Sequence, residues 1–156
     1  MPMTIGDIAP GFSLYSSEKV EVHLSDFKDR NVLLLFFPLA FTSTCTSELC
    51  MLRDDLSRYQ ELDAEVLAIS VDAPQTLARF KAELQLNFTL LSDFNKEIST
   101  AYDALYEVFS VNLRGVSKRA AFVIDGQGII RYAEVLENAA HLPDFDAILR
   151  TLAGMK

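Results

Sequence analysis

NVLLLFFPLAFTSTCTSELC, residues 31–50, decides the fold, because the hydrophobic pattern changes in the middle of this stretch. Its first part, Asn31–Pro38, is a continuous apolar run that ends at a proline, which is typical of a central strand buried on both faces. From about Ser43 to Leu62 the apolar residues recur instead with the period of a helix. The stretch therefore predicts a buried strand that passes through a short loop into a helix.

This predicted helix has an apolar and a polar side, and the two cysteines fall on different sides. Cys45 lies on the apolar stripe, whereas Cys50 aligns with the polar one. The apolar stripe contains Cys45, Leu49, Leu52, Leu56 and Tyr59, and the polar stripe contains Asp54, Ser57 and Glu61.

Strands and helices alternate along the remainder of the chain. The further predicted elements are a half-exposed strand at Val20–Leu24, buried strands at Glu65–Asp72 and Phe88–Asp93, a helix from Pro74, a short helix after Asp93, a hairpin around Gly126–Gly128 and a last helix at about 143–153. This order predicts the α/β class, with a mixed sheet covered by helices on both faces. We expect one domain over residues 1–156, without linkers or repeats.

Composition and charge exclude several classes of protein. Half of the 156 residues are hydrophobic, which is enough for one core without cross-links. The net charge of −8 disfavours nucleic acid and anionic membranes as partners. The N-terminus has no basic segment followed by a long apolar run, and no run approaches the roughly 18 apolar residues of a membrane span. We expect a soluble, cytoplasmic protein with neither nucleic acid nor membrane as partner.

Cys45 and Cys50 are the only cysteines of the chain. Two are too few for a disulfide scaffold, and the two histidines, His23 and His141, lie too far away in sequence to complete a zinc site with them. We therefore expect no metal and no other cofactor. In a reducing compartment, such a close pair of thiols indicates chemistry rather than cross-linking.

Cys45 falls in the first turn of the predicted helix, directly after the buried strand. Unpaired amides and the positive end of the helix dipole favour an anion there, so the position favours a thiolate. Pro38 ends the strand, and Thr42 is one of three successive hydroxyl residues suited to capping the helix. The simpler interpretations are a small core cysteine, a capping threonine and a strand-ending proline. The pattern alone leaves open whether these or a catalytic role apply.

The segment PLAFTSTC, Pro38–Cys45, has the Pro-x-x-x-Thr-x-x-Cys pattern and resembles that of the peroxiredoxins. GDIAPGFSL at Gly6–Leu14 resembles the N-terminal signature of this family, Glu48 matches the family glutamate, and RAAFVIDGQGIIR at Arg119–Arg131 resembles the segment with the catalytic arginine. The thioredoxin-like fold that this resemblance implies agrees with the predicted order of elements. FFPLAFT is most similar to the alkyl hydroperoxide reductase E subgroup, which commonly lacks a second cysteine at this place.

The resemblance implies a thiol-dependent peroxidase that reduces hydrogen peroxide, organic hydroperoxides or both through a cysteine sulfenic acid. Cys45 would be the nucleophile and Pro38 its shield, while Thr42 and Arg119 would orient the peroxide and Glu48 would hold Arg119. The residues alone leave two of these roles open. Glu48 has no basic residue at i+3 or i+4, which favours a partner elsewhere in the fold, and its alternative is an exposed first-turn glutamate favoured by the helix dipole. The alternatives to Arg119 nearby are Arg114, Lys118 and Arg131, and an arginine before a strand is ordinarily solvated.

The position of Cys50 resembles that of the resolving cysteine in the peroxiredoxin Q (bacterioferritin comigratory protein) subgroup. Helical positions five apart place their Cα atoms roughly 8–9 Å from one another, whereas a disulfide needs less than about 7 Å. We therefore expect Cys50 to reach Cys45 only after the helix has unwound locally. The alternative is that Cys50 is an incidental thiol and that an external thiol resolves Cys45.

Other functions and partners stay open at this stage. A redox-switched sensor or holdase would use the same pair of cysteines, while a thiol-disulfide oxidoreductase would ordinarily show Cys-x-x-Cys instead of Cys45-x-x-Glu48. The expected partners are a peroxide and a thioredoxin- or glutaredoxin-like reductant. The chain is expected to be a monomer or a homodimer, since Phe37, Phe41 and YEVFSVNL fit a dimer patch and a core or pocket lining equally well.

Overall fold

The computed structural model describes residues 2–155. Within them, strands β1–β9 are Ser13–Ser16, Glu21–His23, Asn31–Phe36, Ala64–Ser70, Thr89–Ser92, Leu105–Phe109, Leu113–Ser117, Arg119–Ile124 and Ile130–Leu136. Helices α1–α5 are Ser43–Asp54, Leu56–Glu61, Pro74–Leu84, Glu97–Ala101 and Phe145–Gly154, and short 3-10 helices occur at Leu24–Phe27 and Ser110–Asn112. None of the helices in this part of the chain is long and apolar enough to cross a membrane.

Seven strands form one mixed sheet in the order β2-β1-β5-β4-β3-β8-β9. β3, β4 and β5 run parallel, and the remaining pairs are antiparallel. β3 lies inside the sheet and is buried from Val32 to Phe36, as the continuous apolar run predicts. The α/β class with a mixed sheet is therefore confirmed.

Successive residues of β3 point to opposite faces of the sheet and enter two different cores. Leu33 and Leu35 pack in the core that contains the apolar residues of α1, α2, α3 and α5. Leu34 and Phe36 pack in the second core, with residues around α4 and the first 3-10 helix. Both faces of the sheet are thus covered, as expected.

The helix predicted from Ser43 to Leu62 is not continuous. It is interrupted at Asp55, where the backbone has φ −101° and ψ 8°, so that α1 ends and α2 begins. Aspartate is a weak helix former because its side chain competes for backbone hydrogen bonds. The predicted apolar stripe is nevertheless buried along both helices. The apolar side chains therefore stay packed against the sheet with a helical period, although the helix itself is interrupted at Asp55.

The predicted hairpin around Gly126–Gly128 is present as β8 and β9. Gly128 adopts φ +81°, which favours glycine. Gly126 lies against another segment, because a Cβ at this position would come within 2.8 Å of the Asp29 backbone. Both glycines of this turn are therefore required, Gly128 for its positive φ and Gly126 for the close approach of the Asp29 backbone.

Candidate active site

The loop from Phe37 to Thr42 joins β3 to α1 at the carboxyl edge of the parallel strands. Thr42 has extended backbone angles and occupies the N-cap position of α1. The amide of Thr46 bonds to the Thr42 carbonyl, with N···O 2.9 Å. The amides of residues 43–45 precede this bond and have no helical acceptor, so they form the positive end of α1.

Cys45, Glu48 and Arg119 form a buried cluster at this helix end. Their exposed fractions are 1%, 0% and 1%, respectively. Arg119 Nη2 donates to Cys45 Sγ at 3.3 Å. Its Nη1 donates to Glu48 Oε1 at 2.6 Å. The guanidinium therefore connects the thiol with a buried carboxylate.

The two strands β3 and β8 bring Arg119 to this place. They are antiparallel, and Phe36 at the end of β3 is paired with Ala120 near the start of β8. Arg119 consequently lies beside the point where the chain leaves β3 for the cysteine-bearing helix. Its Nε donates to the Ala139 carbonyl at 3.0 Å. The guanidinium is therefore held by three partners, of which Cys45 and Glu48 are the other two.

The three alternatives to Arg119 do not join this cluster. Lys118 Nζ pairs with Glu137 at 2.6 Å. Arg131 pairs with Asp125 at 2.7 Å, and Arg114 is exposed. Arg119, in contrast, is buried rather than solvated at a strand edge. The simpler interpretation of this residue is therefore wrong, as is that of Glu48 as an exposed glutamate.

A single guanidinium, that of Arg119, lies against both the Glu48 carboxyl and the Cys45 thiol. Burial raises the pKa of Glu48 from the ordinary 4.5 to about 7, although Arg119 acts in the opposite direction. Glu48 Oε2 accepts no hydrogen bond from any residue between 2 and 155. Burial lowers the pKa of Arg119, but the nearby Glu48 and Cys45 outweigh this and raise it. Arg119 thus stays a cation beside the sulfur.

Pro38 and Thr42 occupy the loop that leads to Cys45. Pro38 is buried at the end of β3, whereas Thr42 is exposed. The Thr42 hydroxyl donates to the Leu39 carbonyl at 2.7 Å and does not cap α1. Within the described part of the chain it is bonded to neither Cys45 nor Arg119, so the structure brings together three of the five residues predicted for catalysis.

Comparison with known proteins decides the family. The chain matches the AhpC/TSA family over residues 5–133. The chain is a peroxiredoxin of this family. Members of the family are thiol peroxidases, so this protein is an oxidoreductase that acts on peroxides.

Relatives of this peroxiredoxin come from both subgroups that its sequence resembles. The peroxiredoxin Bcp of Escherichia coli K12 is 38% identical over 132 residues, which cover 84% of this chain and 85% of the relative. The alkyl hydroperoxide reductase E of Mycobacterium bovis is 40% identical over 136 residues, which cover 85% and 86%. The crystal structure of peroxidoxin BcpB from Mycobacterium tuberculosis superposes with a TM-score of 0.86 at 27% identity and covers 99% of both chains. These matches confirm the thioredoxin-like fold.

Cys50 of this peroxiredoxin lies on α1, half-buried, and both cysteines are free thiols. α1 is helical without interruption between the two residues. The separation of about 8–9 Å expected for such positions therefore applies to the structure. As folded, the protein cannot join the two sulfurs without losing part of α1.

Asp72 has a contact with this site that the sequence did not predict. It was expected only as the last residue of a strand, but its carboxylate accepts a hydrogen bond from the Ala40 amide in the loop before Thr42. A carboxylate at the carboxyl end of a buried parallel strand, at the edge where the site lies, is the signal that points to it.

Proposed function

We propose that Cys45 is the peroxidatic residue of this peroxiredoxin, with Arg119 and Thr42 as the residues that orient the peroxide. Glu48 holds Arg119, and Pro38 shields the sulfur from water. The observation that carries this proposal is the 3.3 Å contact between the Arg119 guanidinium and Cys45 Sγ inside the protein. A core cysteine with only a packing role has no need of a buried cation.

In the proposed reaction, the Cys45 thiolate attacks one oxygen of R–O–O–H and the O–O bond breaks. The sulfur is oxidised to a sulfenic acid, Cys45–SOH, and the other oxygen leaves as RO⁻, which takes up a proton to give ROH. Negative charge moves from sulfur to the leaving oxygen during this step. Arg119 contacts the sulfur at which this movement begins, and we infer that it also donates to the leaving oxygen.

Ionisation of the thiol is too small an effect to account for peroxidase activity. A free cysteine is already a few per cent thiolate at pH 7, so full ionisation gains only about 30-fold. Intrinsic nucleophilicity also falls as a thiol becomes more acidic. A preorganised donor aimed at developing charge contributes about 3–4 kcal/mol. Arg119 and the amides of residues 43–45 are the donors that the site offers.

The second part of the proposal concerns Cys50, which attacks the sulfenic acid, releases water and forms a disulfide with Cys45. The first turns of α1 unwind for this step, because the intact helix holds the residues apart. A thioredoxin- or glutaredoxin-like dithiol in the cytoplasm then reduces the disulfide. The working form is a monomer or a homodimer.

Intact mass after one equivalent of hydrogen peroxide tests both parts of the proposal. The parent is expected to lose two hydrogens, Cys50→Ser to gain one oxygen, and Cys45→Ser to keep its mass. Continuous peroxide consumption with a dithiol reductant distinguishes an enzyme from a sensor or holdase that reacts once. If Cys45→Ser were still oxidised and still consumed peroxide continuously, the nucleophile would have been assigned wrongly.

A further inference from the structure

The loop Pro38–Thr42, here called the catalytic loop, contains a residue in an unfavourable backbone conformation. Phe41 has φ +68°, in the left-handed region that side chains other than glycine rarely adopt. Its side chain is 50% exposed, and its ring meets that of Phe80 edge-on at 5.0 Å. Such strain, about 1–3 kcal/mol, persists only where surrounding contacts impose it. The catalytic loop therefore needs an external anchor.

Asp72 supplies a hydrogen bond to the residue next to Phe41. Its Oδ2 accepts from the Ala40 amide at 2.8 Å and from the Ser70 hydroxyl at 2.7 Å. Ser70 is fully buried at the end of β4. The catalytic loop is thereby tied to the end of β4 through the Asp72 side chain.

Asp72 is itself held in place from a second strand. The Ser92 hydroxyl, at the end of β5, donates to the Asp72 carbonyl at 2.6 Å. Ser92 thus fixes the main chain of Asp72 from β5, while Ser70 at the end of β4 bonds to its carboxylate. These contacts hold the carboxylate in one orientation and give the Ala40 amide a fixed acceptor.

We propose that Asp72 is a positioning residue of this peroxiredoxin, which sets the catalytic loop through the Ala40 amide and so aims the first amides of α1 at the peroxide. Asp72 does not touch the reacting atoms. Its effect arises because misplacement of catalytic donors by about 1 Å lowers a rate by up to about 100-fold. The inference rests on the proposed role of Cys45.

The test compares two second-order rates of Cys45, with hydrogen peroxide and with iodoacetamide, in variants that also carry Cys50→Ser. Asp72→Ala is expected to slow the peroxide reaction about 10- to 100-fold and to change alkylation less than about twofold, because alkylation needs the thiolate but not the aimed donors. Asp72→Asn keeps an acceptor oxygen for Ala40 and is expected to restore most of the peroxide rate. Amide exchange at Ala40 should be fast in Asp72→Ala and slow in Asp72→Asn.

Asp93 offers a matched control. It lies just beyond the end of β5, at the same edge of the sheet as Asp72, and its carboxylate accepts from the amides of Ile98 and Ser99 in α4 rather than from the catalytic loop. Asp93→Ala is therefore expected to lower stability without a selective loss of the peroxide rate. Ser70→Ala, a milder change, should give a smaller selective loss if Asp72→Ala does not fold.

Three results would overturn the inference: an unchanged peroxide rate in Asp72→Ala, an equal loss in both reactions, or an Asp72→Asn variant as slow as Asp72→Ala. A selective loss of the same size in Asp93→Ala would also do so. If the protein with an intact Asp72 is not oxidised at Cys45, the proposed function fails instead. The two failures are therefore distinguishable.

Discussion

Replacement of Glu48 by glutamine tests how the buried cluster distributes its charge. Between its ordinary pKa of 4.5 and the folded value of about 7, the Glu48 carboxyl keeps a proton in the folded protein that it has lost in the unfolded chain. The folded state then binds more protons, so the free energy of unfolding falls as the pH rises. The gap between the two pKa values corresponds to at most about 3 kcal/mol. This contribution is fully present below pH 4.5 and is lost as the pH rises through about 7.

The assay is urea unfolding of the reduced protein at several pH values across this range. The free energy of unfolding of the parent is expected to fall by up to about 3 kcal/mol more than that of Glu48→Gln, which has no carboxyl to titrate. Glu83→Gln, on the exposed side of α3, is the control and should follow the parent. Parallel curves for the parent and Glu48→Gln would refute the reasoning, because Arg119 would then keep Glu48 ionised throughout.

The remaining predictions concern catalysis, local unfolding and packing. Arg119→Ala should slow oxidation of Cys45 by peroxide about 100-fold or more, with a much smaller effect on alkylation; equal losses, measured by stopped flow, would mean that Arg119 acts only on ionisation. Oxidation to the disulfide should raise amide hydrogen exchange between Thr44 and Met51 while β4 stays protected, and exchange identical to that of the reduced protein would exclude unwinding. Gly126→Ala should lower the midpoint of thermal unfolding, because the new Cβ would come within 2.8 Å of the Asp29 backbone; an unchanged midpoint would show that the turn adapts.

The strands and helices that the sequence predicted are those whose pattern is local. The apolar run of β3 and the helical period after Ser43 depend only on neighbouring residues, and both are observed. The β6–β7 hairpin was not predicted because its turn gives no usual signal. Val111 and Asn112 both have positive φ there, where asparagine followed by glycine is the favoured pair. A β-branched valine in this conformation is a feature that no propensity predicts.

The candidate site likewise contains features that the local sequence pattern predicts and features that it does not. The position of Cys45 follows from the local change of strand to helix, together with the Pro-x-x-x-Thr-x-x-Cys pattern. The burial of Glu48 does not, because its partner Arg119 lies 71 positions away in the sequence. The same holds for Asp72, whose bond to Ala40 spans 32 positions and depends on β3 and β4 lying side by side. The pairing of strands that are distant in sequence therefore determines these two contacts, which the local sequence pattern does not predict.

The sequence separation of 74 between Cys45 and Arg119 also bears on the protein while it is being made. A nascent chain that has not yet released β8 from the ribosome carries Cys45 without its guanidinium partner. On the proposed role of Arg119, the sulfur of such a chain reacts with peroxide as slowly as an ordinary thiol and is less exposed to over-oxidation to the sulfinic acid. If Cys45 and Arg119 have the roles proposed above, reactivity toward peroxide arises only after β8 has left the ribosome and paired with β3.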